Sequence, residues 1–213
     1  SFFRRCVVCS RRPPAPPGTM NDPARYDPVE RRRFLSSLLV RMLSHQFREQ
    51  MLPEWNKYSN EFYTLIYEEV TSTVVDKQLL GVQYILEVLQ LEIDDRASMV
   101  TNFANCLQQL NTKSSEPEVL LKACKALGEI AKVEGGSAAV EPLLKQALQR
   151  LKTTNKLESA VLVIEELAKN APTLTYVHVK EVLDNIWEAA FHPTIGVREG
   201  AASALHACLD LVG

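Results

Sequence analysis

From Pro28 onward, apolar residues recur three and four positions apart with few interruptions, the spacing that gathers one face of an α-helix. Phe34, Leu35, Leu38, Leu39, Met42, Leu43 and Phe47 trace the first such stripe. Pro53 then starts a new helix or kinks the old one, because proline lacks the amide donor that a helix interior needs. Phe62, Leu65, Ile66 and Val70 continue the pattern, and further stripes run over 79–91 and 99–110. The breaks are short and polar, at 111–115, 134–137, 152–155, 170–173 and 192–194. Loops of that size join antiparallel helix neighbours. The pattern predicts about nine helices, paired into four repeats with one extra helix ahead of them. Thr71–Val75 is rich in β-branched residues but too isolated to pair as a strand.

Within the helices a finer pattern repeats. Val197, Arg198, Ala201, Ala204 and Leu205 read V-R-x-x-A-x-x-A-L, and Val119, Ala123, Ala126 and Leu127 occupy the same offsets. Ala160, Val163, Ile164 and Leu167 form a third copy; Gly81, Tyr84, Ile85 and Val88 form a looser fourth. The anchors Gly81, Ala123, Ala160 and Ala201 lie 42, 37 and 41 residues apart. A period of about 40 with small residues on one helical face points to stacked helix pairs of the HEAT or armadillo kind. Such a pair cannot bury its apolar face alone, so its neighbours supply the core. The predicted fold is all-α, an α-solenoid of antiparallel helix pairs. Ala123 and Ala201 are expected to let helices within a repeat approach closely, with Leu127 and Leu205 filling the space between layers.

Composition changes this picture mainly at the front. The 213 residues carry a net charge of −2 and are 46% hydrophobic, long enough for a substantial core. Residues 1–59 hold 11 Lys/Arg against 5 Asp/Glu, and the remainder 13 against 21. The acidic stack reads as a solvated face and argues against nucleic acid as a partner. Residues 1–27 are expected to be a disordered leader. Its first 19 positions lack acids, hold four prolines and precede Met20, which suggests Met20 as the native start; a transit peptide is the sharper alternative. Residues 28–213 are expected to begin a solenoid that is cut at its C-terminal end. No run of about 18 apolar residues is present, so direct membrane insertion is not expected. Cys106, Cys124 and Cys208 fall at apolar helical positions, as buried reduced thiols would.

No constellation of catalytic or metal-binding residues stands out. Cys6 and Cys9 form a lone C-x-x-C with no second ligand pair nearby. His45, His178, His192 and His206 are far apart, and Glu165–Glu166 and Asp94–Asp95 are adjacent carboxylates that point to different sides. Gly135–Gly136 lacks a phosphate-cradle pattern and suits a helix end. Arg31, Arg32 and Arg33 read as a solvated helix start rather than a phosphate contact. We expect no catalytic residue, no cofactor and no metal in this segment.

The runs 160–168 with Pro172–Thr173, Asp184–Trp187 with Pro193, and Val197–Leu209 resemble the N-terminal HEAT-repeat region of the TOR (target of rapamycin) kinases. Gly81 with Ile85 and Leu89, and Phe103–Leu107, are similar to the first repeats of that family. The resemblance covers about residues 58–212. It implies a large serine/threonine kinase of the phosphatidylinositol-kinase-like class whose ATP and magnesium sites lie in a catalytic domain beyond Gly213. It further implies a dimeric complex, contact with a raptor-type subunit and a Rheb-type small GTPase, and a cytoplasmic protein recruited to lysosomal or other endomembranes. In that pattern Arg198 pairs with an acid of a neighbouring repeat, but His192–Pro193 occupies the place of the customary aspartate.

Two functions of different class follow. The first is a non-catalytic scaffold and protein-interaction segment of a TOR-like kinase in growth signalling. The second is a small stand-alone HEAT/armadillo adaptor that binds a peptide or transport cargo, which would carry a ladder of Asn or Trp along its inner helices. Trp187 and scattered Asn form no such ladder. An end stripe of Ala201, Leu205, Cys208 and Leu209 leads us to expect a chain that is helical but marginally soluble.

Overall fold

A computed structural model of the protein describes residues 29, 33–37, 39–40, 52–90 and 96–213, with side chains from 60 and 99 onward in the last two stretches. The leader, Cys6, Cys9, Arg31, Arg32, His45 and Asp94–Asp95 lie outside the described residues. The chain divides into two compact units, Ser1–Leu65 and Ile66–Gly213. In the first, Leu35 and Leu39 of the leading stripe are fully buried, and Phe62 meets Tyr63 edge-on with ring centroids 6.1 Å apart. Helix α1 (Leu52–Thr71) carries Pro53 at its second position. There the missing amide hydrogen would have no helical partner anyway, so proline opens the helix without kinking it.

The second unit is an α-solenoid. After α1 it comprises α2 (Val75–Leu89), α3 (Arg96–Lys113), α4 (Pro117–Lys132), α5 (Gly136–Thr153), α6 (Leu157–Asn170), α7 (Pro172–Tyr176), α8 (Val179–Asn185), α9 (Trp187–Ala190) and α10 (Ile195–Asp210). Helices α2, α4, α6 and α10 lie side by side as one layer, and α3, α5 and α8 form the other. Each of α4 and α6 also packs on the helix just before it, and α10 packs on α8 and α9. No strand occurs among the described residues, and Thr71–Val75 is a helix end, a tight turn and a helix start.

Local chemistry sets the boundaries. Pro117 opens α4, whose buried face gathers Val119, Leu120, Ala123, Cys124, Ala126, Leu127 and Ile130. Gly135 takes a left-handed backbone (φ 77°) between α4 and α5, where any Cβ would be strained. Thr154 and Lys156 are left-handed as well, at φ 52° and 51°, and they reverse the chain between α5 and α6.

The outer member of the last pair differs from the expectation of one continuous helix. It is broken into α7, α8 and α9. Thr173, Thr175, Val177 and Val179 are β-branched and lose side-chain freedom in a helix, and Val177–His178 interrupt the run. Leu205 also departs from its expected place. It is only half-buried, and Leu209 is 52% exposed.

Candidate interaction groove

The repeat pattern maps onto one seam. Gly81, Ala123, Ala160 and Ala201 are all buried, on α2, α4, α6 and α10 respectively. Val119, Ala126, Leu127, Val163, Ile164, Val197 and Ala204 are buried beside them. Small side chains at a fixed phase let adjacent backbones come close, and dispersion contacts rise accordingly.

Two glycines outside the anchor positions mark close approaches to α6. A Cβ on Gly200 of α10 would stand 2.7 Å from Val161 Cγ2 of α6, and one on Gly128 of α4 would stand 2.5 Å from Asn170 Nδ2 of α6. Helix α6 is therefore approached by a glycine from both neighbours. Sequence reasoning did not single these out. The available signal was a glycine in a helix interior, which costs about 1 kcal/mol against alanine and so implies a packing reason.

Arg198 is exposed and pairs with no acid among the described residues. Its Nη1 donates to the backbone carbonyls of His192 (2.9 Å) and Pro193 (2.7 Å), while Thr194 N–H donates to His192 Nδ1 at 3.2 Å. These two Arg198 bonds clasp the turn that precedes α10. With proline and histidine in place of an acid, the free carbonyls of that turn are the acceptors within reach.

Between α6 and α10 the layer opens into a groove of about 560 Å³, lined by Glu165, Ala168, Lys169, Pro172, Ala202, Ser203, His206, Ala207, Asp210 and Leu211. Its floor is small and apolar, and its walls carry two contacts within helices: the ion pair of Glu165 with Lys169 at 2.5 Å and the approach of His206 Nδ1 to Asp210 Oδ2 at 2.9 Å. The hydrogen bond to Glu165 lifts the Lys169 ammonium above its ordinary range. Glu166 turns away from the groove wall to accept from Asn170 Nδ2 at 3.2 Å. Burial holds its carboxyl above the usual carboxylate range, with Lys169 opposing and Glu165 adding to the shift. An alanine floor between charged walls suits a side chain or a short helix of another protein better than it suits bond-making chemistry.

The remaining reactive groups are withdrawn from solvent. Cys106, Cys124 and Cys208 are free and buried. Burial raises Cys106 and Cys208 to about 11 and pushes Cys124 further up, so none is a nucleophile at neutral pH. Among the described residues no group of three His, Cys, Asp or Glu is placed to hold a metal ion, and no helix is long and apolar enough to cross a membrane. Trp187 is half-exposed on α9, which packs on α10, α6 and α8.

No protein-family model matches the chain. Curated relatives do. The serine/threonine-protein kinase TOR of Oryza sativa subsp. japonica is 32% identical over 183 residues, 84% of this chain and 7% of the relative. The serine/threonine-protein kinase TOR of Arabidopsis thaliana is 32% identical over 163 residues, 74% of this chain and 6% of the relative. Serine/threonine-protein kinase tor1 of Schizosaccharomyces pombe is 29% identical over 161 residues, 73% of this chain and 7% of the relative. The chain spans about 7% of the length of these relatives. Over most of its length the chain is homologous to a segment of TOR serine/threonine-protein kinases.

Proposed function

We propose that this chain is a non-catalytic scaffold and protein-interaction segment of a TOR-like serine/threonine kinase, drawn from an N-terminal HEAT-repeat solenoid. The observation that carries the reading is the 32% identity to a TOR kinase over 84% of the chain. The fold agrees with it. A stack of helix pairs joined through a small-residue seam offers an extended surface, which is what repeat proteins use to assemble others. In this reading ATP and magnesium are bound by a kinase domain elsewhere in the protein. The segment helps to build a dimeric complex with a raptor-type subunit and a Rheb-type small GTPase at lysosomal or other endomembranes. The α6–α10 groove is the surface it offers.

An antibody raised against this chain tests the reading in the cells that make it. The expected species is far larger than 23.9 kDa and carries serine/threonine kinase activity into the precipitate. A species of about that small mass without kinase activity would replace the reading with the stand-alone adaptor.

A further inference from the structure

The turn of α5 into α6 brings two cations onto one residue at the end of α3. Arg150 Nη2 donates to Thr112 Oγ1 at 3.0 Å, and Arg150 Nη1 donates to Ser159 Oγ at 2.7 Å and to the Asn111 carbonyl at 3.5 Å. Lys156 Nζ donates to the Thr112 carbonyl. Eight other lysines and histidines of this unit meet a carboxylate, but neither Arg150 nor Lys156 does among the described residues. The nearest acids along the chain, Glu116 and Glu158, pair with neither. Arg150 is half-buried as well. A partly desolvated guanidinium without a counter-ion favours an anion arriving from outside. The residue it faces is an exposed threonine in the last turn of α3.

We propose that Thr112 is a phosphorylation site and that Arg150 and Lys156 form its built-in receptor. In the step itself Thr112 Oγ1 attacks the γ-phosphorus of ATP in the site of a protein kinase. The new P–O bond forms as the β–γ bridge breaks, ADP leaves, and the hydroxyl proton passes to the kinase's base. The hydroxyl's donation to the Gln108 carbonyl, 2.8 Å away, is given up. In exchange three acceptor oxygens meet two waiting cations. A phosphate at a helix C-terminus is otherwise repelled by the helix dipole, so this pair decides the sign. Its effect is to tie the end of α3 to the α5–α6 turn and fix the spacing of successive repeats. Ser115 is exposed too, but neither cation bonds to it, and Ser159, which Arg150 does reach, is buried.

The test uses the full chain made with phosphothreonine at 112, followed by phosphorus NMR titration and thermal unfolding. The second ionisation should fall below its ordinary value of about 6, and the thermal midpoint should rise by about 3–6 °C over the unmodified chain. Both changes should vanish in Arg150→Gln/Lys156→Gln and shrink in Lys156→Gln alone, which alters only an exposed side chain. An ordinary ionisation with no thermal gain would overturn the proposal. So would equal protection of Thr112→Ala by 20 mM inorganic phosphate (roughly 10³-fold above the micromolar range), which would mark a site for a free anion.

Discussion

Gly200→Ala sets two known effects against each other at one position. Replacing a glycine in a helix interior by alanine stabilises by about 1 kcal/mol through backbone entropy alone. Against this, the new methyl would lie 2.7 Å from Val161 Cγ2, roughly 0.8–1.3 Å inside the optimal carbon–carbon separation. Val161 is fully buried, and its β-branched side chain has one strongly preferred rotamer in a helix. Relief therefore requires an off-rotamer valine or a retreat of α10 from α6, and overpacking of this kind costs about 1–3 kcal/mol. The steric effect wins, leaving a net loss of about 1 kcal/mol and a thermal midpoint lower by about 2–4 °C. Gly196→Ala is the internal control. It lies on the same helix, and its Cβ would meet only Glu158 Oε1, at 3.8 Å, so it should stabilise by about 0.5 kcal/mol. Chemical denaturation of both variants reads the difference in sign. A Gly200→Ala chain as stable as the parent would refute the claim that this glycine sets the helix spacing. In a Val161→Ala background the same change should turn stabilising.

The Thr175 hydroxyl is fully buried with no hydrogen-bond partner, so Thr175→Val should raise stability by about 1 kcal/mol; a loss on denaturant titration would mean the hydroxyl is satisfied. Arg198→Ala should cost about 1 kcal/mol by releasing the turn before α10, and Arg198→Lys should restore little, since one ammonium cannot copy the guanidinium geometry. Full rescue by lysine would show that charge alone matters. The thiols of Cys106 and Cys208 have folded values near 11 against 9.0. Their contribution is thus fully present below about pH 9 and lost as pH rises through 11. The alkaline decline in denaturation midpoint should be shallower in Cys106→Ala/Cys208→Ala. An unchanged slope would place the titration elsewhere.

The layer that carries the seam was legible in the sequence because it rests on spacing. Alanine and glycine at a constant phase about 40 residues apart, with apolar residues three and four positions on, specify which helices lie side by side. The breaks at 134–137 and 152–155 were legible for the same reason: glycine and short polar residues end helices locally. What could not be read depends on neighbours distant in the chain. Gly128 and Gly200 look like weak points of a helix until Asn170 and Val161 are set against them. The hydrogen bond from Arg150 to Thr112 spans 38 positions, with no local pattern to announce it. The groove likewise exists only once α6 and α10 stand in register. The division of the last outer helix lay within reach, since β-branched residues crowd its first half.

That division gives the stack an uneven elasticity. Under a pull along the chain, a helix with an unbroken ladder of backbone hydrogen bonds behaves as a stiff strut, whereas a joint stretches at the cost of a few turn hydrogen bonds. The seam side of the last pair is one strut, Ile195–Asp210, while the opposite side is jointed around Val177–His178 and Ile186. Tension therefore lengthens the jointed side first and bends the stack towards the strut. The groove walls on α6 and α10 tilt with that bend. A load applied far along a larger protein would then be felt here as a change in groove width, with the buried seam left intact.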